Sequence, residues 1–286
     1  MLPHHVQFHT RYRWAPAAGW NGAFRRTIRN ALFKQAFDIS AVNRSTTGAL
    51  RFAALLASLM IAATLPARAG QPLANDDASL VEPGTCQLEA WTRFGHDDRE
   101  YWAQPACNLT GNLEIAIGVA RARLEGDQTS SALVLQGKSM LLPRDDGQWS
   151  FAAEAGAARD TSLPRGGSAF QYFYAKALAS WYPRDDLEID LNAGAANAYG
   201  SGTFVLAGAA IQYTVVTNVQ LLAEVYRDQP GPGKYQLGLR YVVIPDRFDA
   251  FASFGNRFTG SSTQGFGMIG IRLQSPPFAG AVHADH

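Results

Sequence analysis

The chain is poor in the residues on which most enzyme and metal sites depend. It has two cysteines and six histidines among 286 residues, and of the histidines only His96, His283 and His286 follow residue 69. Two cysteines without a neighbouring histidine cannot supply the four ligands of a structural zinc site. The G-x-S-x-G motif of serine hydrolases with the α/β-hydrolase fold is also missing from the sequence. We therefore predict no cofactor, no metal and no enzymatic activity.

Long apolar runs are missing as well, with one exception at 52–66. This run follows Arg51 and precedes the small-x-small triplet 67–69. A membrane-spanning helix needs about 20 apolar residues, so the run is too short to be one. A basic flank, a short apolar core and a small-residue site are typical of a secretory signal peptide. We predict a signal peptide at 49–69, cleaved after Ala69, with a retained anchor as the alternative.

The segment 1–48 is basic and is predicted to have no folded role. It carries one acidic residue, Asp38, and an arginine pair, Arg25-Arg26. An over-long start, an extended basic region of the signal and a twin-arginine signal are the three readings of this extension. Nine of the 25 Lys and Arg precede residue 70, which leaves 16 against 23 Asp and Glu and a formal charge of −7. An acidic mature chain argues against a nucleic-acid partner.

From residue 84 onward, apolar and polar or small residues alternate in short segments. One example is Leu113–Val119, where Leu, Ile, Ile and Val alternate with Glu, Ala and Gly. Tight connectors and looser ones follow each other in turn, the tight ones lying near 109–112, 143–147, 183–186, 216–218 and 244–247. Alternation of this kind with unequal connectors is typical of a transmembrane β-barrel.

The predicted fold is therefore all-β, an antiparallel transmembrane β-barrel of about 12 strands over 84–278, with both termini periplasmic. Residues 70–83 are assigned to a periplasmic N-terminal segment and 279–286 to a C-terminal tail. The predicted location is the bacterial outer membrane. The expected partners are outer-membrane lipid, the barrel-assembly machinery and an unknown small solute, and the chain is expected to be a monomer.

Aromatic residues cluster at the tight connectors, among them Trp149, Trp181, Tyr182, Tyr213 and Tyr241. Amphipathic rings prefer the boundary between lipid and water. These residues are predicted to form a girdle at the periplasmic rim.

The two cysteines predict the register of the first hairpin. If Cys86 faces Cys107, the same antiparallel register sets Glu89 opposite Gln104, Trp91 opposite Trp102, and Arg93 opposite Glu100. Opposed cysteines, tryptophans and opposite charges in one register are unlike a chance arrangement. We predict a cross-strand Cys86–Cys107 disulfide, with Cα atoms about 4.4–6.8 Å apart.

Alternation also assigns a set of polar side chains to the inside of the barrel. The predicted lumen-lining residues are Glu89, Arg93, Glu100, Gln136, Lys138, Glu154, Lys176, Glu188, Asp190, Glu224, Arg240, Asp249 and Arg272. Barrels of about eight strands are filled by side chains, and those of 16–18 strands hold an open channel. Twelve strands therefore favour a narrow or gated lumen.

The residues Asn75–Ala78, Val81–Gly84 and Leu88-Glu89 resemble the opening of small proteobacterial outer-membrane barrels. That group includes proteins classed as transporters of the phenol meta-degradation type. The resemblance implies an outer-membrane barrel for passive solute passage, and it carries over no catalytic residue.

Four hypotheses follow. The first is a narrow pore or passive transporter for a small solute. The second is a non-conducting structural or adhesion barrel with a lumen closed by its charges. The third is an outer-membrane hydrolase using His96, which lies beside Asp97. The fourth is a soluble exported β-barrel or sandwich.

Overall fold

The computed structural model describes residues 73–123, 128–144, 148–160, 169–259 and 264–278. The predicted extension 1–48, signal peptide 49–69 and tail 279–286 lie outside these residues. No helix in the described ranges is long and apolar enough to cross a membrane.

The described ranges form twelve β-strands. In chain order they are β1 (Thr85–Phe94), β2 (Arg99–Asn108), β3 (Leu113–Arg123), β4 (Thr129–Leu142), β5 (Trp149–Asp160), β6 (Tyr172–Arg184), β7 (Leu187–Ala198), β8 (Gly202–Val216), β9 (Val219–Arg227), β10 (Lys234–Ile244), β11 (Phe248–Arg257) and β12 (Phe266–Gln274). Each strand pairs with the next one in the chain, and β1 pairs antiparallel with β12 to close the barrel. Closure leaves no free sheet edge. The predicted 12-stranded antiparallel barrel is confirmed.

The alternation read from the sequence separates the two faces of the wall. In β3, Ile115, Ile117 and Val119 are 46–51% exposed, whereas Glu114 and Ala116 are 5% and 2% exposed. The outside of the barrel therefore presents large apolar side chains, and the inside presents polar or small ones. Water-soluble monomers rarely expose a continuous apolar surface of this kind. An outward apolar band is what a lipid-embedded barrel requires.

Part of the predicted aromatic girdle is present. Trp149, Tyr213 and Tyr241 are about 40% exposed on the outer face, and the ring of Trp149 stacks on Trp181 with centroids 5.7 Å apart. Tyr182 was predicted to join them, and this is wrong. Its side chain is only 7% exposed, because its position in the alternation of β6 turns it into the barrel.

The first hairpin has the predicted register. Cys86 faces Cys107, Trp91 faces Trp102, and Arg93 faces Glu100 across β1 and β2. The disulfide joins the two cysteines, whose Cα atoms lie 4.1 Å apart, just short of the predicted range. The predicted disulfide is confirmed, and so is the pairing that it implies for this hairpin.

Candidate functional site

The predicted lumen residues are concentrated on the inner face of the barrel. Those that are less than a tenth exposed are Glu89, Glu100, Lys138, Glu154, Glu188, Asp190, Glu224, Arg240, Asp249 and Arg272. The side chains of Arg93 and Lys176 are 26% and 13% exposed, and Gln136 is half-buried. Burial of this many charges inside a closed wall means that something other than bulk water surrounds them.

Residues 73–81 enter the lumen and account for much of this burial. Residues 70–83 were predicted to be a periplasmic segment, and no part of them was expected inside the barrel. We call residues 73–81 the luminal segment. Two of its side chains are buried against inward residues of the wall. Leu73 packs against Ala210 and Leu222, and Ala78 packs against Ala152 and Leu178.

Glu224 of β9 holds the far end of the luminal segment. The backbone N–H of Ala74 donates to both carboxylate oxygens of Glu224, at 2.9 and 3.0 Å. The backbone N–H and the side-chain amide of Asn75 donate to Oε2 at 3.0 and 2.7 Å. Glu224 is 4% exposed, so its charge is satisfied almost entirely by these donors. A carboxylate bound to backbone N–H groups makes stronger hydrogen bonds than a neutral acceptor does.

Asp76 binds the wall through both its backbone and its side chain. Its N–H donates to Asn192 Oδ1 at 3.0 Å, and Asn192 Nδ2 donates to its carbonyl oxygen at 2.7 Å. Its carboxylate accepts from Lys176 Nζ at 2.7 Å. Lys176 lies between this carboxylate and that of Glu154, which is 3.0 Å away. One wall cation therefore serves the segment and the wall at the same time.

The near end of the luminal segment makes further contacts with the wall. Asp77 accepts from Lys138 Nζ at 3.4 Å, and the N–H of Ala78 donates to Ser180 Oγ at 2.8 Å. The N–H of Val81 donates to Glu114 Oε2 at 2.8 Å. The wall thus recognises the segment chiefly through its main chain, with acceptors placed on β3, β6, β7 and β9.

The turn at 82–84 leads the chain from the luminal segment into β1. Gly84 has φ +70°, which a residue without a side chain adopts readily. The N–H of Gly84 donates to Asn108 O at 2.7 Å, and the N–H of Thr85 donates to Glu82 O at 3.0 Å. These bonds fix the turn at the end of the barrel that carries the tight connectors. The segment therefore enters the lumen from that end.

Gly208 of β8 shows how closely the segment approaches the wall. A Cβ atom built on Gly208 would overlap the side-chain amide of Asn75. The inward position on this strand therefore accommodates the luminal segment because it lacks a side chain.

The remaining predicted residues form separate groups around the lumen. Arg272 pairs with Asp249, and Arg93 pairs with Glu100 at 2.9 Å near the loop end. Arg240 donates to Gln220 at 3.3 Å.

Glu188 and Asp190 form an acidic group on β7. Asp190 accepts from Ser180 Oγ at 2.6 Å and from Gln212 Nε2 at 2.9 Å. Among the described residues, neither carboxylate forms an ion pair, and they are 1% and 0% exposed. In the same ranges, no group of three or more His, Cys, Asp or Glu has the arrangement of a metal site.

An apolar cluster lies inside the barrel near β1. Trp91, Phe251 and Met268 are buried together, and Trp102 stacks on Trp91 with ring centroids 5.4 Å apart. The lumen is therefore not uniformly polar, and its aromatic part lies on the strands next to the barrel closure.

His96 lies apart from these groups, on the loop between β1 and β2. Its ring is 55% exposed, and Nδ1 lies 2.6 Å from Asp97 Oδ1. The histidine and its neighbour are thus a surface pair at a loop tip, away from the buried charges.

Four residues that contact the luminal segment are absent from the predicted lumen-lining set, and they are Glu114, Ser180, Asn192 and Gly208. The first three share the inward parity of residues that were predicted, so the alternation itself could have identified them. Gly208 offers no such signal, because its role depends on where the luminal segment lies.

Solved outer-membrane proteins share this fold. The KdgM porin superposes with a TM-score of 0.53 at 10% identity, covering 65% of this chain and 98% of that one. The NanC porin gives 0.50 at 11% identity, covering 66% and 98%. The COG4313 outer-membrane channel from Pseudomonas putida F1 gives 0.50 at 11% identity, covering 71% and 98%. Identities this low establish a common fold and nothing further.

None of the curated protein sequences compared with the chain matches it. One family model does match, over residues 57–273, which is about three quarters of the 286 residues. The match includes β1 to β11, almost all of β12 and the luminal segment. The chain therefore belongs to the family described as "Uncharacterised conserved protein UCP029691".

Proposed function

We propose that this chain is an outer-membrane β-barrel that conducts a small solute passively through a narrow lumen. The observation that carries the proposal is the ionisable lining inside a closed wall whose outer face is apolar. Buried charge pairs contribute little to stability compared with apolar packing of similar volume. A polar interior is therefore better explained by a role in solute passage than by stability. The shared fold of porins and channels supports this reading.

The proposal extends to location and partners. Export by the signal peptide, contact with outer-membrane lipid and insertion by the barrel-assembly machinery follow from a lipid-embedded barrel of this type. We also propose that the chain is a monomer without enzymatic activity, cofactor or nucleic-acid partner. The finer resemblance to transporters of the phenol meta-degradation type is tested by measuring uptake of phenolic solutes into vesicles that contain the protein.

The direct test is the current through planar bilayers that contain the refolded mature chain. We expect discrete openings of small conductance. Counting Glu114, eight inward acidic residues face five basic ones, so a mild preference for cations is expected. Replacing Glu188 by Gln and Asp190 by Asn together leaves six inward acidic residues against five basic ones, so it should weaken that preference while the barrel stays folded. A reversal potential unchanged by the double substitution would contradict the assignment of these two carboxylates to the solute path.

A second function, that of a closed structural barrel, is favoured by one observation. Residues 73–81 occupy the lumen and bind wall residues on several strands. If this arrangement is permanent, bilayers with correctly folded protein carry no current, and weakening the contacts of the segment does not change that. Current from any variant whose barrel is intact would rule this alternative out.

A further inference from the structure

We infer that residues 73–81 form a displaceable gate that closes the lumen at rest and leaves it through the end that carries the tight connectors. The inference rests on the proposed function, because a gate has meaning only in a barrel that conducts. The gate overlaps two of the stretches that carry the resemblance to other outer-membrane barrels, Asn75–Ala78 and Val81–Gly84. Neither part of that pattern had a role in the barrel wall.

The kind of contact that holds the segment permits its release. Among the described residues, no backbone–backbone hydrogen bond joins 73–81 to a strand. The segment is held by side chains instead, principally Glu224, Asn192, Ser180 and Glu114. Water can replace each of these bonds one at a time, whereas extraction of a paired strand would expose a whole ladder of backbone groups.

The two wall cations that bind the segment, Lys138 and Lys176, keep acidic neighbours when the segment leaves. Lys176 keeps Glu154, whose carboxylate is 3.0 Å away. Leaving a buried charge without its partner is strongly destabilising. The shared ion pair removes that obstacle for Lys176. Lys138 loses Asp77 but still lies opposite Glu114 and Glu154 on the neighbouring strands.

The turn at 82–84 supplies a fixed pivot. Its bonds to Asn108 and Thr85 anchor it at the rim, and Phe278 N–H donates to Gly84 O at 2.8 Å. The wall strand β1 can therefore stay in place while the residues before the pivot swing out. Because the pivot lies at the rim with tight connectors, the exit is on that side.

The charges of the segment predict the direction in which voltage drives it. Asp76 and Asp77 lie inside the lumen, and the segment has no basic residue. A potential that is negative on the loop side pushes these carboxylates toward the pivot end. Opening should therefore be favoured at that polarity, and Asp76→Asn should make the voltage dependence shallower.

A reversible tether tests the gate most directly. A Cβ atom at Gly208 falls against the side chain of Asn75, so Asn75→Cys with Gly208→Cys places two thiols in reach of each other. Single-channel records of the refolded mature chain are compared before and after reduction. We expect the oxidised variant to remain closed and the reduced one to open. The wild-type chain under the same reductant controls for loss of the Cys86–Cys107 bond.

Gly208→Ala tests the gate by favouring the open state, whereas the tether favours the closed one. Gly208→Ala forces the Asn75 amide from its position and should raise the ratio of open to closed time about tenfold or more, the effect of losing a charge-assisted hydrogen bond. Gly118→Ala is the matched control. It is also an inward glycine, and its added Cβ would meet Gln104 and Val134 at 3.2 and 3.3 Å without touching the segment. Asp186→Asn, in an exposed turn, is the control for Asp76→Asn.

The outcomes separate the gate from the pore. If the wild type conducts steadily and neither tether nor substitution changes its open time, the pore stands and the gate is wrong. If all variants are folded, as shown by their migration on unheated gels, and none conducts, the proposed function itself fails. Conductance that rises on reducing the tether and in Gly208→Ala, and not in Gly118→Ala, supports both.

Discussion

A charge placed on the lipid face of the barrel should have an effect that depends on depth. Ile117 lies at the centre of β3, 46% exposed on the outer face, whereas Leu109 lies in the tight turn between β2 and β3 and is 72% exposed. Ile117→Arg puts a guanidinium near the bilayer midplane, where it costs about 2–4 kcal/mol, and Leu109→Arg puts it near the interface, where it costs about 0–1 kcal/mol. About 3 kcal/mol corresponds to a change of roughly 150-fold in the folded to unfolded ratio.

The assay is urea unfolding of protein refolded into lipid vesicles, followed by tryptophan fluorescence and by the mobility of unheated samples on SDS gels. We expect the midpoint of Ile117→Arg to fall well below that of wild type and the midpoint of Leu109→Arg to stay close to it. Equal midpoints for the two variants would refute the placement of β3 across the bilayer. A loss of stability in Leu109→Arg alone would place the membrane boundary elsewhere on the barrel.

Three further outcomes are expected. Replacing Cys86 and Cys107 by serine opens a loop of sequence separation 21 and should lower stability by about 3 kcal/mol, measured by the same unfolding assay; no change would mean that the bond does not restrict the unfolded chain. Arg272→Gln leaves the buried carboxylate of Asp249 without its partner and should cost about 3–5 kcal/mol, whereas a double substitution that also changes Asp249 to Asn should recover much of it; a double variant as unstable as the single one would contradict the pairing. His96→Ala should leave conductance and any ester hydrolysis background as in wild type; a lost hydrolytic activity would revive the hydrolase hypothesis.

The wall of the barrel was predictable because its rules are local. The alternation of Leu113 to Val119 decides which side chains face lipid. Turn-forming residues then separate one strand from the next. The pairing of Cys86 with Cys107 aligned the first hairpin by arithmetic alone, since a register that is right at one pair is right along the strand.

The occupant of the lumen was not predictable on the same grounds. Residues 73–81 have no repeating apolar pattern, and their contacts come from strands that are distant in sequence, such as Glu114 in β3 and Glu224 in β9. Nothing local to Asn75 or Asp76 indicates a partner more than a hundred residues away. The prediction for Tyr182 was wrong for a different reason. Its amphipathic ring suited a membrane boundary, but its position in the alternation of β6 turns it into the barrel.

The acceptors that bind the segment's backbone N–H groups are spread over four strands, and this bears on how assembly is completed. Glu114, Ser180, Asn192 and Glu224 converge only after β3, β6, β7 and β9 have taken their final pairing. A slip of one residue in any of these strands would turn its partner outward. Docking of residues 73–81 is therefore expected to be the last event of folding. Docking would therefore occur only in a barrel whose strands have the correct register.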